Sequence, residues 1–120
     1  MKSPVAEYHG LVDALVSRRQ CIFAARVREG RSWPASSTLA EFNTLLDGLT
    51  QAQRQKIAEL LQRARDGGIH DVLVELSERQ NLKGLRFIQG DVELAMEPHG
   101  TEMYFDWAAR IAGEAWPREG

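Results

Sequence analysis

A single cysteine, Cys21, stands in the 120 residues, so no disulfide can close within the chain. A reducing, cytoplasmic setting fits that usage. No apolar run approaches the ~18 residues that a membrane-spanning helix needs. The opening Met-Lys-Ser-Pro-Val-Ala-Glu-Tyr-His lacks the apolar stretch of a secretory signal. Basic charge is not in excess either. The net charge is −2 and the pI about 5.9, far from the value expected of a nucleic-acid-binding domain. Three histidines, His9, His70 and His99, are scattered from one end to the other and have no recognised metal-ligand spacing. Gly67-Gly68 follows a helical pattern and is not followed by Lys-Ser or Lys-Thr, so it is not a phosphate loop. No repeat and no low-complexity segment is present. These absences lead us to expect no metal, no cofactor and no membrane span.

What remains is ordinary globular composition, with 43% hydrophobic and 27% charged residues. The length suits a single domain, 1–120, small enough that dimerisation would help it. Charge is uneven along the chain. Residues 1–33 carry six Lys/Arg against three acids, and residues 51–65 carry four against one. From Leu85 onward the balance reverses, to three against seven. The plain reading is that opposite charges ease docking between parts of one chain; the sharper one is a charged partner surface.

The pattern predicts an α+β fold, mostly helical: about five helices with one two-stranded antiparallel hairpin at about 85–97 packed on them, the helical part covering 3–81 and the hairpin with the terminal helix covering 84–117. Ser3-Pro4 opens the first helix, and Val5, Tyr8, Val12, Leu15 and Ile22 carry its apolar stripe to Arg28 and a cap at Gly30. Trp33-Pro34 lies in a loop that covers apolar surface. Thr38-Leu39-Ala40-Glu41 and Thr50-Gln51-Ala52-Gln53 read as capping boxes opening the second and third helices. Gly67-Gly68 ends the third. A short fourth helix follows, with Asn81 as its cap. A two-residue turn at Gly90-Asp91 sets Gln89 opposite Val92, Phe87 opposite Leu94 and Leu85 opposite Met96. That apolar face must lie on helices, because two strands alone are marginal in water. Thr101 caps the last helix, which buries Met103, Trp107 and Ile111 and stops at Gly113.

The run from Val92 to Pro117 resembles the ending of a family of small bacterial proteins, a domain of unknown function. Its pattern is E-P-x-G-[ST]-E followed by D-[FW]-x-x-R-x-x-G-[DE]-x-W-P. The matching residues are Glu97, Pro98, Gly100, Thr101, Glu102, Asp106, Trp107, Arg110, Gly113, Glu114, Trp116 and Pro117. The resemblance covers about a quarter of the chain and implies the fold without implying an activity. Ala115 departs from it, standing where a helix-ending residue such as proline is expected.

Within this ending the candidate catalytic residues are His99, Glu102, Asp106 and Arg110. His99 would serve as general base, Glu97 or Glu102 would orient it, and Arg110 would hold an anion. The competing structural reading pairs Asp106 with Arg110 at i,i+4 to pin the helix, with His99 merely occupying a turn. The structural reading is preferred, because single ionisable residues without a coordinated partner are weak support for catalysis. Metal binding by His9 and Asp13, or by His70 and Asp71, lacks a ligand set. Cys21 reads as a buried thiol. The arginines at 18, 19, 26, 28 and 31, like Arg54, Lys56, Arg63 and Arg65, read as solvated faces, which argues against nucleic acid as a partner. The leading expectation is a non-enzymatic interaction protein that pairs with itself or with another protein. A small hydrolase or transferase is the alternative, and a weak nucleic-acid binder a second one.

Overall fold

The computed structural model describes residues 2–118. Its elements in chain order are α1 (Pro4–Ser17), α2 (Ile22–Glu29), a 3-10 turn (Ala40–Phe42), α3 (Asn43–Asp47), α4 (Gln51–Lys83), β1 (Ile88–Gln89), β2 (Val92–Glu93) and α5 (Met103–Ile111). The fold is therefore α+β and mostly helical, with one antiparallel hairpin. The residues gather into two compact units. One runs up to Arg19 and resumes from Gly68, and the other spans Gln20–Gly67. α4 supplies a segment to each.

In the first unit α1 starts as its sequence dictates. Ser3 Oγ accepts a hydrogen bond from the Ala6 amide at 3.1 Å, and Pro4 occupies the first turn. Tyr8 and Val12, one turn apart, are fully buried. They pack with Leu73 of α4, Leu94 after the hairpin, and Met103 and Trp107 of α5. The hairpin register is the one the sequence specifies, Gln89 opposite Val92, with Gly90 at φ 62° in the turn. The Leu94 amide donates to Phe87 O at 2.9 Å and extends the ladder by one rung. The Ala95 amide donates to Pro4 O at 3.0 Å, tying the end of the hairpin to the start of α1. Leu94 is buried and Phe87 and Leu85 half-buried, but Met96 is exposed, because the chain turns away after Ala95. α5 ends in a Schellman turn, with the Glu114 amide bonded to Ala109 O and Gly113 at φ 89°.

The second unit has a smaller core, in which Cys21 and Ala24 pack on Ala58 and Leu61 of α4. Trp33 is fixed by Asn43, whose side chain accepts from the Trp33 amide and donates to its carbonyl, both at 2.8 Å.

Four expectations about helix boundaries are corrected. The first helix does not continue to Arg28; it stops at Ser17 and restarts at Ile22. The Cys21 amide donates instead to Gln62 Oε1 at 3.1 Å, which spends the bond that would have continued the helix. Thr38 opens no helix. Ser37 Oγ accepts from the Leu39 amide, a 3-10 turn follows, and α3 begins only at Asn43. Gly67-Gly68 stops nothing: α4 runs through both for 33 residues, since neither glycine adopts positive φ and strong helix formers flank them. Asn81 is accordingly an interior helical residue, and the left-handed residue that closes α4 is Gly84. The Thr50 capping box is present in full, with Gln53 N–H to Thr50 Oγ1 at 3.1 Å and Thr50 N–H to Gln53 Oε1 at 2.9 Å.

Among the described residues two buried side-chain polar atoms, Ser77 Oγ and Trp107 Nε1, have no hydrogen-bond partner. An orphaned buried hydroxyl costs about 1–3 kcal/mol, and alanine is the better helix former. Ser77→Ala is expected to stabilise the protein by roughly 1 kcal/mol, read as a higher urea midpoint at unchanged m-value. A fall in the midpoint would show that the hydroxyl is satisfied.

Candidate functional site

The polar residues of the first unit collect where α1, the corner at residues 97–101, α5 and the tail at 114–117 meet. The corner is built around a strained residue: Glu97 has φ 47°, a left-handed conformation that non-glycine residues seldom adopt. Asn81 Nδ2 donates to its carboxylate at 3.3 Å, and the Gly100 amide donates to its carbonyl at 3.0 Å. Pro98 and Gly100 then hold His99 so that its ring faces α1.

Tyr8 of α1 is buried, and its hydroxyl donates a short hydrogen bond to Asp106 Oδ2. Thr101 Oγ1 donates to the other oxygen, Oδ1, at 2.5 Å. Asp106 is itself only 6% exposed, so a carboxylate is held in the interior by two hydroxyl donors in the first turn of α5. Burial raises the Tyr8 phenol far above the ordinary tyrosine range, aided by its bond to Asp106 and by the negative charges of Asp106 and Glu97. Because the folded value is the higher one, this contribution to stability is complete below about pH 10, the unfolded tyrosine value, and is lost as pH rises through the folded value. Wild type should therefore lose more stability than Tyr8→Phe between about pH 9 and 11, measured by urea titration at each pH. Parallel losses in the two proteins would contradict this.

One turn along α1, Asp13 accepts from Arg110 Nε at 2.8 Å and from Trp116 Nε1 at 3.0 Å. Partial burial pushes the Asp13 carboxyl up, but the Trp116 and Arg110 hydrogen bonds and the charges of Arg110 and His9 outweigh it and lower it overall. Arg110 also donates through Nη1 to Glu114 O at 2.8 Å, and its guanidinium lies 5.0 Å from the Trp116 ring centre. Trp116 in turn stacks on His9, with centroids 4.0 Å apart and planes 13° from parallel.

His9 Nε2 and His99 Nε2 are 2.8 Å apart, and the ring planes are within 20° of parallel. The ring centroids are 5.1 Å apart, which is the N–N distance plus one ring radius at either end. The two imidazoles are thus in line and edge to edge, with a hydrogen position between them. A shared metal ion would need the two lone pairs to converge off that line. Among the described residues no group of three or more His, Cys, Asp or Glu converges to hold a metal.

Three of the four sequence candidates, His99, Asp106 and Arg110, line one cavity of about 180 Å³ together with Thr101, Phe105 and Trp116. Glu102 is the N-cap residue of α5, without a side-chain capping bond, and is not in that lining. It holds the cap position expected of Thr101, whose hydroxyl goes to Asp106 instead. The expected Asp106–Arg110 pair is replaced by longer-range partners, Tyr8 for the acid and Asp13 for the base. Sequence reasoning placed Tyr8 on the buried stripe of the first helix but missed it as the partner of Asp106, and noticed His9 and Asp13 only as a metal spacing. The one available signal was that helical spacing, which places both residues on the flank of α1 beside its buried Tyr8 and Val12.

The match to known families spans nearly all of this architecture: the model of a family described as a family of unknown function (DUF6547) covers residues 1–118. The chain belongs to DUF6547. Comparison with curated proteins and with solved structures finds no match to it. In this DUF6547 member the polar cluster therefore has to be judged on its own chemistry. The donors and acceptors just described are bonded to one another, and the cavity is smaller than the ~300 Å³ at which ligand pockets usually begin. No helix among the described residues is long and apolar enough to cross a membrane.

A second concavity, in the other unit, has the opposite character. It measures about 360 Å³ and is lined solely by apolar side chains: Phe23 and Val27 of α2, Trp33, Leu39, Phe42, Leu45 and Leu46 around α3, and Ile57 and Leu61 of α4. Phe23 is 50% exposed, Phe42 43% and Leu45 63%.

Proposed function

We propose that this protein is a non-enzymatic interaction module and that its docking surface is the apolar groove between α2 and α3, filled by the same groove of a second copy. The observation that carries the reading is the wholly apolar lining, with three large side chains standing half exposed on it. Exposed apolar surface of this kind marks interaction sites. Charge argues for a second copy as the occupant. The α2 wall carries Arg26 and Arg28 against Glu29, whereas the opposite wall from Leu39 to Asp47 carries Glu41 and Asp47 and no Lys or Arg. A two-fold axis through the groove sets each basic wall against the partner's acidic one, as an isologous interface requires. A cytoplasmic setting accords with the lone buried Cys21. Sedimentation velocity over a dilution series should show a dimer dissociating to monomer; a strict monomer at the highest concentration would refute the assignment.

A small hydrolase or transferase built on His99, Glu102, Asp106 and Arg110 has less support. Asp106 is saturated by Tyr8 and Thr101, and Arg110 by Asp13 and the Glu114 carbonyl, so neither is poised for a substrate. A nucleic-acid role through the arginines of α2 has the acidic overall charge against it.

A further inference from the structure

We propose that the in-line His9–His99 contact is a proton-operated clasp that holds the tail segment Trp116-Pro117 against α1 and releases it in mild acid. The argument is geometric. Two imidazole nitrogens 2.8 Å apart on a common line can have one hydrogen between them. That arrangement is met when the pair is neutral, with one ring donating to the other. It is also met when the pair carries one proton more, since the charged ring still donates to its neutral partner. It cannot be met when both rings are charged. Two N–H groups would then point at each other and two positive charges would face across a hydrogen-bond distance. Histidine is the side chain whose charge ordinarily changes between about pH 5 and 8, and acid is what supplies the second proton.

The surroundings set the consequence. Around the pair are Tyr8 and Asp13 of α1, Arg110 and Asp106 of α5 and Glu114 of the tail, with Glu97 of the corner acting on Tyr8. Asp13 interacts with the charge of His9, but it is already engaged by Arg110 and Trp116. Asp106 is engaged by Tyr8 and Thr101. One positive charge on the pair is tolerated by Asp13 and by the face of Trp116. A second stands beside the Arg110 guanidinium. Trp116 touches both rings, stacked on His9 at 4.0 Å and tilted against His99 at 5.6 Å. Separation of the rings therefore removes the platform on which the indole lies and leaves the tail to the Trp116–Asp13 hydrogen bond, the Arg110 contacts and the edge of Tyr8, a looser hold. Two imidazoles brought together from opposite ends of the chain, both in contact with the same tryptophan, are what distinguish a clasp from a pair of surface histidines.

The test is acrylamide quenching of tryptophan fluorescence in Trp33→Phe, a background that leaves the buried Trp107 and the clasped Trp116. Circular dichroism at each pH would confirm that the helices persist. The Stern–Volmer constant should rise two- to threefold from pH 8 to pH 5 in this background. It should stay flat when His99→Gln is added, because only one charge can then form, and His9→Gln should behave likewise. A quenching constant that does not change with pH in the His9/His99 protein would overturn the proposal. So would an equal rise in the two glutamine variants.

Discussion

Asp106→Ala should destabilise the protein by about 3–5 kcal/mol, because it removes two hydrogen bonds to a charged group at about 1.5–3 kcal/mol each. Both donors are held by the fold: Tyr8 is 1% exposed on α1, and Thr101 precedes α5. With the carboxylate gone the Tyr8 hydroxyl stays buried without a partner, and that penalty exceeds the loss of the bond itself. Against a total stability of about 5–15 kcal/mol for a small domain, the variant stands near the edge of folding. Tyr8→Phe should cost less, about 1.5–3 kcal/mol, because Thr101 and the helix N-terminus still serve the acid. Combining the two substitutions should cost clearly less than the sum of the singles, since they delete the same bond. Urea denaturation of the four proteins measures all these quantities. An Asp106→Ala variant within about 1 kcal/mol of wild type would mean that the carboxylate is exposed or otherwise held.

The second large effect concerns association. Leu45→Asp places a carboxylate on the α3 wall of the groove, at a leucine that is 63% exposed and therefore contributes little to the monomer's core. Its fold should survive, with the helical signal and urea midpoint near those of wild type. In a two-fold interface the substitution enters twice. At about 2 kcal/mol per copy for a central contact, dimer affinity should fall about a thousandfold. Arg28→Ala, on the rim of α2, should act mainly through salt dependence and weaken association less. Sedimentation at matched concentrations separates these cases. Equal dissociation constants for wild type and Leu45→Asp would remove α3 from the interface.

How much of this could be read from the chain depends on the range of the interaction concerned. The Thr50–Gln53 box, the Gly90 turn with its register, and the Met103–Trp107 stripe are set by residues within a turn of one another, and the structure has them as the sequence implies. The break after Ser17 was hidden because it depends on Gln62 capturing the Cys21 amide from a distant helix. Gly67-Gly68 misled for the converse reason. The pair has the composition of a stop, but helix-forming stretches on either side carry α4 through it. The polar cluster was half visible. His99, Asp106 and Arg110 do line a common cavity, yet their partners Tyr8, His9 and Asp13 lie about ninety or more residues away. Local i,i+4 logic accordingly assigned Arg110 to the wrong acid.

The two units differ in how completely they satisfy themselves: one spends its polar side chains on one another, while the other leaves an apolar groove open, which we propose a second copy covers. Hydrogen–deuterium exchange on concentrated and dilute protein addresses this contrast most directly. Slower exchange on concentration is predicted at 22–29 and 39–47, with no change at 4–17 or 103–111. Protection confined to α1 and α5, or none at any concentration, would contradict it.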